Sequence, residues 1–98
     1  MSKDWEKLIK AYTAFLKLEK GLLPNSIEAY TRDIEKFYQF LDMTYSKLKP
    51  VDVSADQIRE FINWLNDFGL SQASQARIIS GIKSFYKYLI FEDKLNED

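Results

Sequence analysis

The longest helical pattern in the chain is residues 71–91, SQASQARIISGIKSFYKYLIF. Its apolar side chains recur at spacings of three and four, the period of one face of an α-helix. On a wheel of 100° per residue they occupy one arc of about 140°, formed by Ile78, Ile79, Ile82, Phe85, Tyr86, Leu89 and Ile90. The opposite arc carries small or polar residues. They are Ser74, Arg77, Ser80, Gly81, Ser84 and Lys87, with Lys83 at the edge of the arc. These residues predict a long amphipathic helix capped by Ser71.

Three further helices are predicted upstream by the same period. They run from about Asp4 to Lys20, from Asn25 to Met43, and from Ser54 to Gly69. Asn25 and Ser54 each begin a capping-box pattern, whose carboxylate or amide lies three residues later. No stretch shows the sustained period-two alternation of a strand. We therefore expect one all-α domain over residues 1–98, folded as an orthogonal four-helix bundle.

The amino-acid composition excludes several classes of function. A chain with 46% hydrophobic residues can bury a core, and its lack of Cys and His removes disulfides and the commonest metal ligands and general bases. No apolar run reaches the roughly 20 residues that span a bilayer, and the N-terminus has no signal-peptide pattern. We expect a cytoplasmic, non-catalytic protein with no metal, no cofactor, no membrane contact and no small-molecule ligand.

Charge is distributed unevenly along the chain. The net charge is −1, yet the segment from Ser71 to Phe91 contains three basic residues and no carboxylate. Basic and hydroxyl side chains suit a phosphate backbone. Gly81 costs roughly 1 kcal/mol of helix propensity relative to alanine. Close approach of another backbone, either DNA or a neighbouring helix, would account for that cost.

Two segments resemble the signature of tyrosine recombinases. They are residues 22–34, LLPNSIEAYTRDI, and residues 71–89, SQASQARIISGIKSFYKYL. Their order and spacing are similar to those of the N-terminal core-binding domain of Xer-type resolvases and related phage integrases. The resemblance extends from about Trp5 to Glu92. Gly81 departs from the family pattern, where alanine is frequent, and Ser84 stands where many members have arginine.

The resemblance implies a SAM-like four-helix bundle that clamps duplex DNA together with a catalytic domain. Its second and fourth helices would face the DNA, and the parent recombinase would form a tetramer on two sites, while the isolated domain would be a monomer. The implied DNA contacts are Asn25, Ser26, Arg32, Ser71, Gln72, Ser74, Gln75, Arg77, Ser80, Lys83, Ser84 and Lys87. Among these, Arg77, Lys83 and Lys87 would anchor phosphates. Gln72 and Gln75 are the candidates for contacts with base edges.

The family's catalytic tyrosine and arginine motifs have no counterpart in this sequence, so no tyrosine here is expected to be a nucleophile. We expect an excised domain of a longer recombinase, which would bind DNA for recombination and integration. The main alternative is a helical protein-interaction module that assembles without contacting DNA. A helix-turn-helix regulator built on the third and fourth helices, and an enzyme acting alone, are the remaining alternatives.

Overall fold

The computed structural model describes residues 2–92. Within that range the helices are α1 (Lys3–Leu18), α2 (Pro24–Thr44), α3 (Ala55–Asp67) and α4 (Gln72–Phe91), and a single 3-10 turn (Pro50–Asp52) precedes α3. This part of the chain contains no strand, and the all-α, four-helix prediction is confirmed. None of the helices in residues 2–92 combines the length and apolar content needed to cross a membrane.

Two of the predicted helix starts are confirmed. The hydroxyl of Ser54 accepts a hydrogen bond from the backbone N–H of Gln57, whose side chain accepts one in return from the Ser54 backbone. The Ser71 hydroxyl accepts from the backbone N–H of Ser74 at 3.1 Å. These three bonds satisfy backbone amides that the start of a helix leaves unpaired.

The predicted start of α2 at Asn25 is wrong. The N-cap is Leu23, which makes no side-chain cap bond, and the first helical residue is Pro24. Proline has a fixed φ near −65° and no N–H, so it suits the first position of a helix, where the amide would have no partner. Asn25 and Ser26 therefore lie inside the first turn of α2.

The core is aromatic and joins all four helices. Its largest fully buried side chains include Trp5, Tyr12, Phe37, Phe61 and Phe85. The Phe85 ring of α4 stacks on Trp5 with centroids 6.2 Å apart and meets Tyr12 edge-on at 5.3 Å. Phe37 of α2 packs against Phe61 of α3 at 5.0 Å. These contacts fix the position of α4 relative to the other three helices.

Residues 45–53 are attached to the bundle by long-range hydrogen bonds, two of which come from aromatic side chains of α1 and α4. The indole N–H of Trp5 donates to the carbonyl of Leu48 at 2.8 Å, and the Tyr86 hydroxyl donates to the carbonyl of Pro50 at 2.7 Å. Burial raises the pKa of the Tyr86 hydroxyl above its usual value. The segment is therefore held on the side of α4 that carries Tyr86.

The helices α2 and α4 cross closely at Gly81. This glycine is buried, and a Cβ placed on it would lie 3.3 Å from Cδ1 of Tyr30 and 3.7 Å from Oδ2 of Asp33. Of the two explanations for Gly81 that the sequence left open, close packing by a neighbouring helix accounts for the glycine.

Candidate nucleic-acid interface

The exposed residues of α4 form one continuous stripe. They lie within an arc of about 140° at 100° per residue, and they are Gln72, Ala73, Ala76, Arg77, Ser80, Lys83, Lys87 and Phe91. We call this set the α4 stripe. It contains basic, small and apolar side chains but no carboxylate, so it presents only positive charge to solvent.

The α4 stripe is rotated by about 60° from the polar arc expected from the sequence. The prediction that Gly81 lies on the exposed polar face is wrong, because Gly81 packs against α2. Ser84 is half-buried, and its hydroxyl accepts a hydrogen bond from the Tyr12 hydroxyl at 2.8 Å. Lys83, expected at the edge of the polar arc, consequently lies within the stripe, and Ser80 and Lys87 lie near its centre.

At the start of α4, several predicted contact residues bond to one another. The Ser71 hydroxyl lies 3.1 Å from that of Ser74, which is half-buried. The side-chain amide of Gln75 donates to the carbonyl of Leu70 at 3.0 Å. Gln72, by contrast, is exposed. Of the two glutamines predicted to read base edges, Gln72 is thus the more accessible.

Arg77 makes an ion pair that the sequence reasoning missed. Its Nη2 donates to Oδ1 of Asp33 on α2 at 2.9 Å, and the arginine side chain is 57% exposed. Asp33 is only 3% exposed. Burial raises the pKa of Asp33, outweighing the nearby positive charges of Arg77, Lys36 and Arg32, which lower it. The position of Asp33, three residues after Tyr30 and four before Phe37, was the available signal that it faces inward.

A shallow groove of about 290 Å³ lies between α2 and α4, beside this ion pair. Its charged lining residues are Arg32, Asp33, Glu35, Lys36 and Arg77, and we call it the α2–α4 groove. Three of these side chains are basic and two are acidic. Lys36 was not among the predicted contacts, although its position four residues after Arg32 places it on the same side of the helix.

The predicted contacts on α2 fall into two places. Asn25 and Ser26 are exposed in its first turn. Arg32 is about 10 Å further along the helix axis, at a rise of 1.5 Å per residue, and it lines the α2–α4 groove. Its guanidinium also lies 3.7 Å from Glu28 in an exposed pair, which contributes little to stability. The structure therefore brings Arg32 and Arg77 together in one groove and separates them from Asn25.

Residues 9–93 match the model of one protein family, described as phage integrase, N-terminal SAM-like domain. The chain belongs to this family. The match begins within α1 and includes α2, α3 and α4 entirely. The recognition of a recombinase-type SAM-like domain from residues 22–34 and 71–89 is confirmed.

Similar proteins include tyrosine recombinase XerD of Staphylococcus saprophyticus, 36% identical over 94 residues, which are 95% of this chain and 31% of that protein. XerD of Listeria monocytogenes is 34% identical over 91 residues, covering 93% of this chain and 31% of that protein. XerD of Staphylococcus aureus is 37% identical over 94 residues, or 95% of this chain and 31% of that protein. No solved structure matches the chain. This SAM-like chain thus spans about a third of the length of the curated relatives it matches.

Proposed function

We propose that this chain is a non-catalytic, DNA-binding domain of a tyrosine recombinase. The observation that carries the proposal is the α4 stripe, an exposed helix surface that contains Lys83 and Lys87 and no carboxylate. Relatives named tyrosine recombinases match the chain over most of its length, which supports the same role. Strand breakage and rejoining would belong to another domain of the recombinase.

The stripe suits duplex DNA for specific chemical reasons. Lysine ammonium groups neutralise phosphates and release counterions, which gives salt-dependent affinity without reading sequence. The small residues Ala73, Ala76 and Ser80 keep the helix surface low, as entry into a major groove about 12 Å wide requires. Gln72 at the start of α4 is the candidate for bonding a base edge, since a side-chain amide can bond the adenine edge at two atoms. In the assembled recombinase, four such domains would hold two sites, and the isolated chain would be a monomer.

The proposal is tested by titrating the ¹⁵N-labelled chain with duplex DNA carrying a recombination site at low salt. We expect amide shifts along the α4 stripe and affinity that falls as salt rises. Lys83→Glu combined with Lys87→Glu should weaken binding by tenfold or more, because two phosphate contacts become repulsive. A chain that produces no shifts with any duplex would contradict the proposal.

The matched control is Lys47→Glu combined with Lys49→Glu. It makes the same change in charge at two exposed positions in the segment that Tyr86 holds through Pro50. Tyr86 projects about 100° around α4 from Lys87. Equal losses in the two double variants would mean that net charge, and not the α4 stripe, determines binding.

A protein-interaction module is the second candidate function, and exposed apolar side chains favour it. Leu18, Leu23, Met43, Phe68 and Phe91 are all at least 66% exposed. Exposed large apolar groups can mark contact surfaces between proteins. Self-association that depends on concentration, together with no amide shifts on adding duplex, would support this function over DNA binding.

A further inference from the structure

The guanidinium of Arg77 is both restrained and accessible. One nitrogen is bonded to Asp33 at 2.9 Å, while more than half of the side chain is exposed along the α2–α4 groove. A guanidinium has five N–H donors in a rigid, planar arrangement, and this bond uses one of them. The group is therefore held in one orientation with donor capacity left for an acceptor in the groove.

Asp33 is itself held by the packing of α2 against α4. Its carboxylate is buried, and Oδ2 has no hydrogen-bond partner among the described residues. Oδ2 lies on the side of Gly81, where an added Cβ would meet it at 3.7 Å, an ordinary van der Waals distance. Leaving a buried carboxylate oxygen unpaired is unfavourable. A carboxylate kept in such a place needs an explanation beyond packing.

We propose that Arg32, Lys36 and Arg77 form a site for one backbone phosphate of DNA, and that Asp33 is the positioning residue of this site. The inference rests on the proposed DNA-binding function and adds the α2–α4 groove to the α4 stripe. The ligand class is a phosphodiester, whose two free oxygens match the paired donors of an arginine. The three basic side chains outnumber the two carboxylates of the groove.

Positioning explains why a carboxylate belongs beside an anion site. A free arginine side chain loses much rotamer freedom when it binds a phosphate. The bond to Asp33 imposes most of that restriction before the ligand arrives. The Asp33 side chain is almost fully buried, whereas more than half of the Arg77 side chain is exposed, so a phosphate would approach the guanidinium from the solvent side. Orientation by a buried carboxylate is the same device that fixes metal-binding histidines.

The test is a double-mutant cycle on duplex affinity, measured with the 98-residue chain over a series of salt concentrations. Arg77→Met is expected to weaken binding about tenfold and to reduce the salt slope by about one. Asp33→Ala is expected to produce a similar loss although Arg77 is still present. The double variant should bind no more weakly than Arg77→Met alone, because the two residues act as a unit. Asp33→Asn keeps an acceptor oxygen for Arg77 and should retain affinity within about twofold.

Glu35→Ala is the matched control, because it removes an equal charge from the same groove without touching the ion pair. A purely electrostatic influence would make Asp33→Ala and Glu35→Ala both strengthen binding. That result, or losses at Asp33 and Arg77 that simply add, would overturn the positioning role. Should Asp33→Ala fail to fold, Arg77→Lys replaces it, since lysine keeps the charge but lacks the planar donor pair. Affinity of Arg77→Lys equal to that of the unaltered chain would also overturn the proposal.

The side-chain Nε–H signal of Arg77 in NMR spectra separates this inference from the DNA-binding proposal. Duplex DNA is expected to shift this signal together with the amides of the α4 stripe. Shifts of the stripe's backbone amides with no shift of the Arg77 Nε–H signal would refute the groove site and leave DNA binding standing, and no shifts anywhere would refute both. Inorganic phosphate at matched ionic strength is expected not to saturate the signal. If inorganic phosphate saturates the Arg77 signal as effectively as duplex DNA does, the groove is a site for free phosphate, and the assignment to DNA is overturned.

Discussion

At the scale of single residues, the two partners of the Asp33–Arg77 ion pair differ in their exposure to solvent. The carboxylate is almost fully buried, while the guanidinium has more than half of its surface in solvent. Removing the arginine leaves a buried charge without its partner, whereas removing the carboxylate leaves an arginine that water can solvate. The energetic cost of breaking this pair should therefore depend strongly on which partner is lost.

We predict that Arg77→Met lowers the free energy of unfolding by about 1–2 kcal/mol, the scale of an unsatisfied buried polar group discounted for the exposed arginine. Adding Asp33→Asn to this variant should restore most of the loss, because it removes the buried charge. Urea denaturation measures both values. Arg32→Met is the control, and loss of its exposed pair with Glu28 should cost under about 0.5 kcal/mol. A double variant less stable than Arg77→Met would contradict the prediction.

Our second prediction concerns the pH dependence of stability, and it follows from the raised pKa of Asp33. A carboxyl whose pKa is higher in the folded than in the unfolded state holds its proton more tightly when folded. The free energy of unfolding, taken relative to Asp33→Asn, should therefore fall as pH rises from about 4, the usual range of aspartate, through the raised pKa. Urea denaturation of both proteins at a series of pH values measures this difference. If the difference grows with pH, the ion pair outweighs burial.

At the scale of helices, the crossing of α2 and α4 at Gly81 determines which side of α4 meets solvent. A wheel drawn from the sequence treats Gly81 and Ser84 as polar-face residues because both are small. In the structure Tyr30 lies against Gly81 and Tyr12 bonds to Ser84. The aromatic side chains of α1 and α2 thus cover a strip that the wheel assigned to solvent.

We predict opposite behaviour for two substitutions at this crossing. Gly81→Ala should change stability by less than about 1 kcal/mol, since improved helix propensity offsets a Cβ only 3.3 Å from Tyr30 Cδ1. Gly81→Val should lower the free energy of unfolding by about 2 kcal/mol or more, because the helices must separate. Ala76→Val, exposed on the same helix, is the control and should cost only its propensity. If thermal unfolding shows that Gly81→Val costs no more stability than Ala76→Val, the crossing of α2 and α4 is loosely packed.

At the scale of the whole molecule, one aromatic cluster connects the four helices. Phe85 contacts Trp5 and Tyr12 of α1, Trp5 contacts Phe37 of α2, and Phe37 contacts Phe61 of α3. Both parts of the candidate interface depend on this cluster, because it sets the position of α4 against α1 and α2.

We predict that Phe85→Ala lowers the free energy of unfolding by about 3–5 kcal/mol, the usual cost of deleting a buried phenyl ring. That loss is a large part of the 5–15 kcal/mol that stabilises a typical domain. Calorimetry or urea denaturation provides the measurement. Phe91→Ala is the matched control, because Phe91 is 74% exposed, and it should cost under about 1 kcal/mol. Similar losses of unfolding free energy in the two variants would show that Phe85 is not a central residue of the core.

Much of this fold could be read from the sequence. The apolar spacing predicted four helices, the capping box at Ser54 and the cap at Ser71 marked two helix starts, and residues 22–34 and 71–89 indicated the family. The prediction of a cap at Asn25 is wrong because Pro24 begins α2 without needing a side-chain cap. Lys36, which lines the α2–α4 groove, was not among the predicted contacts because those on α2 followed the family pattern and not the helix face. The contact between Asp33 and Arg77 spans 44 positions, so no local pattern could reveal it.

The amino-acid pattern alone is enough to identify the segment from Ser71 to Phe91 as a helix with three basic residues and no carboxylate. The packing of the other helices determines which of its polar residues meet solvent, and it rotates the exposed surface toward Lys83 and Lys87. It also joined Arg32, Lys36 and Arg77 around a buried Asp33. The reason is physical: a helical period depends on local backbone geometry, whereas burial depends on the neighbouring helices that pack against each face.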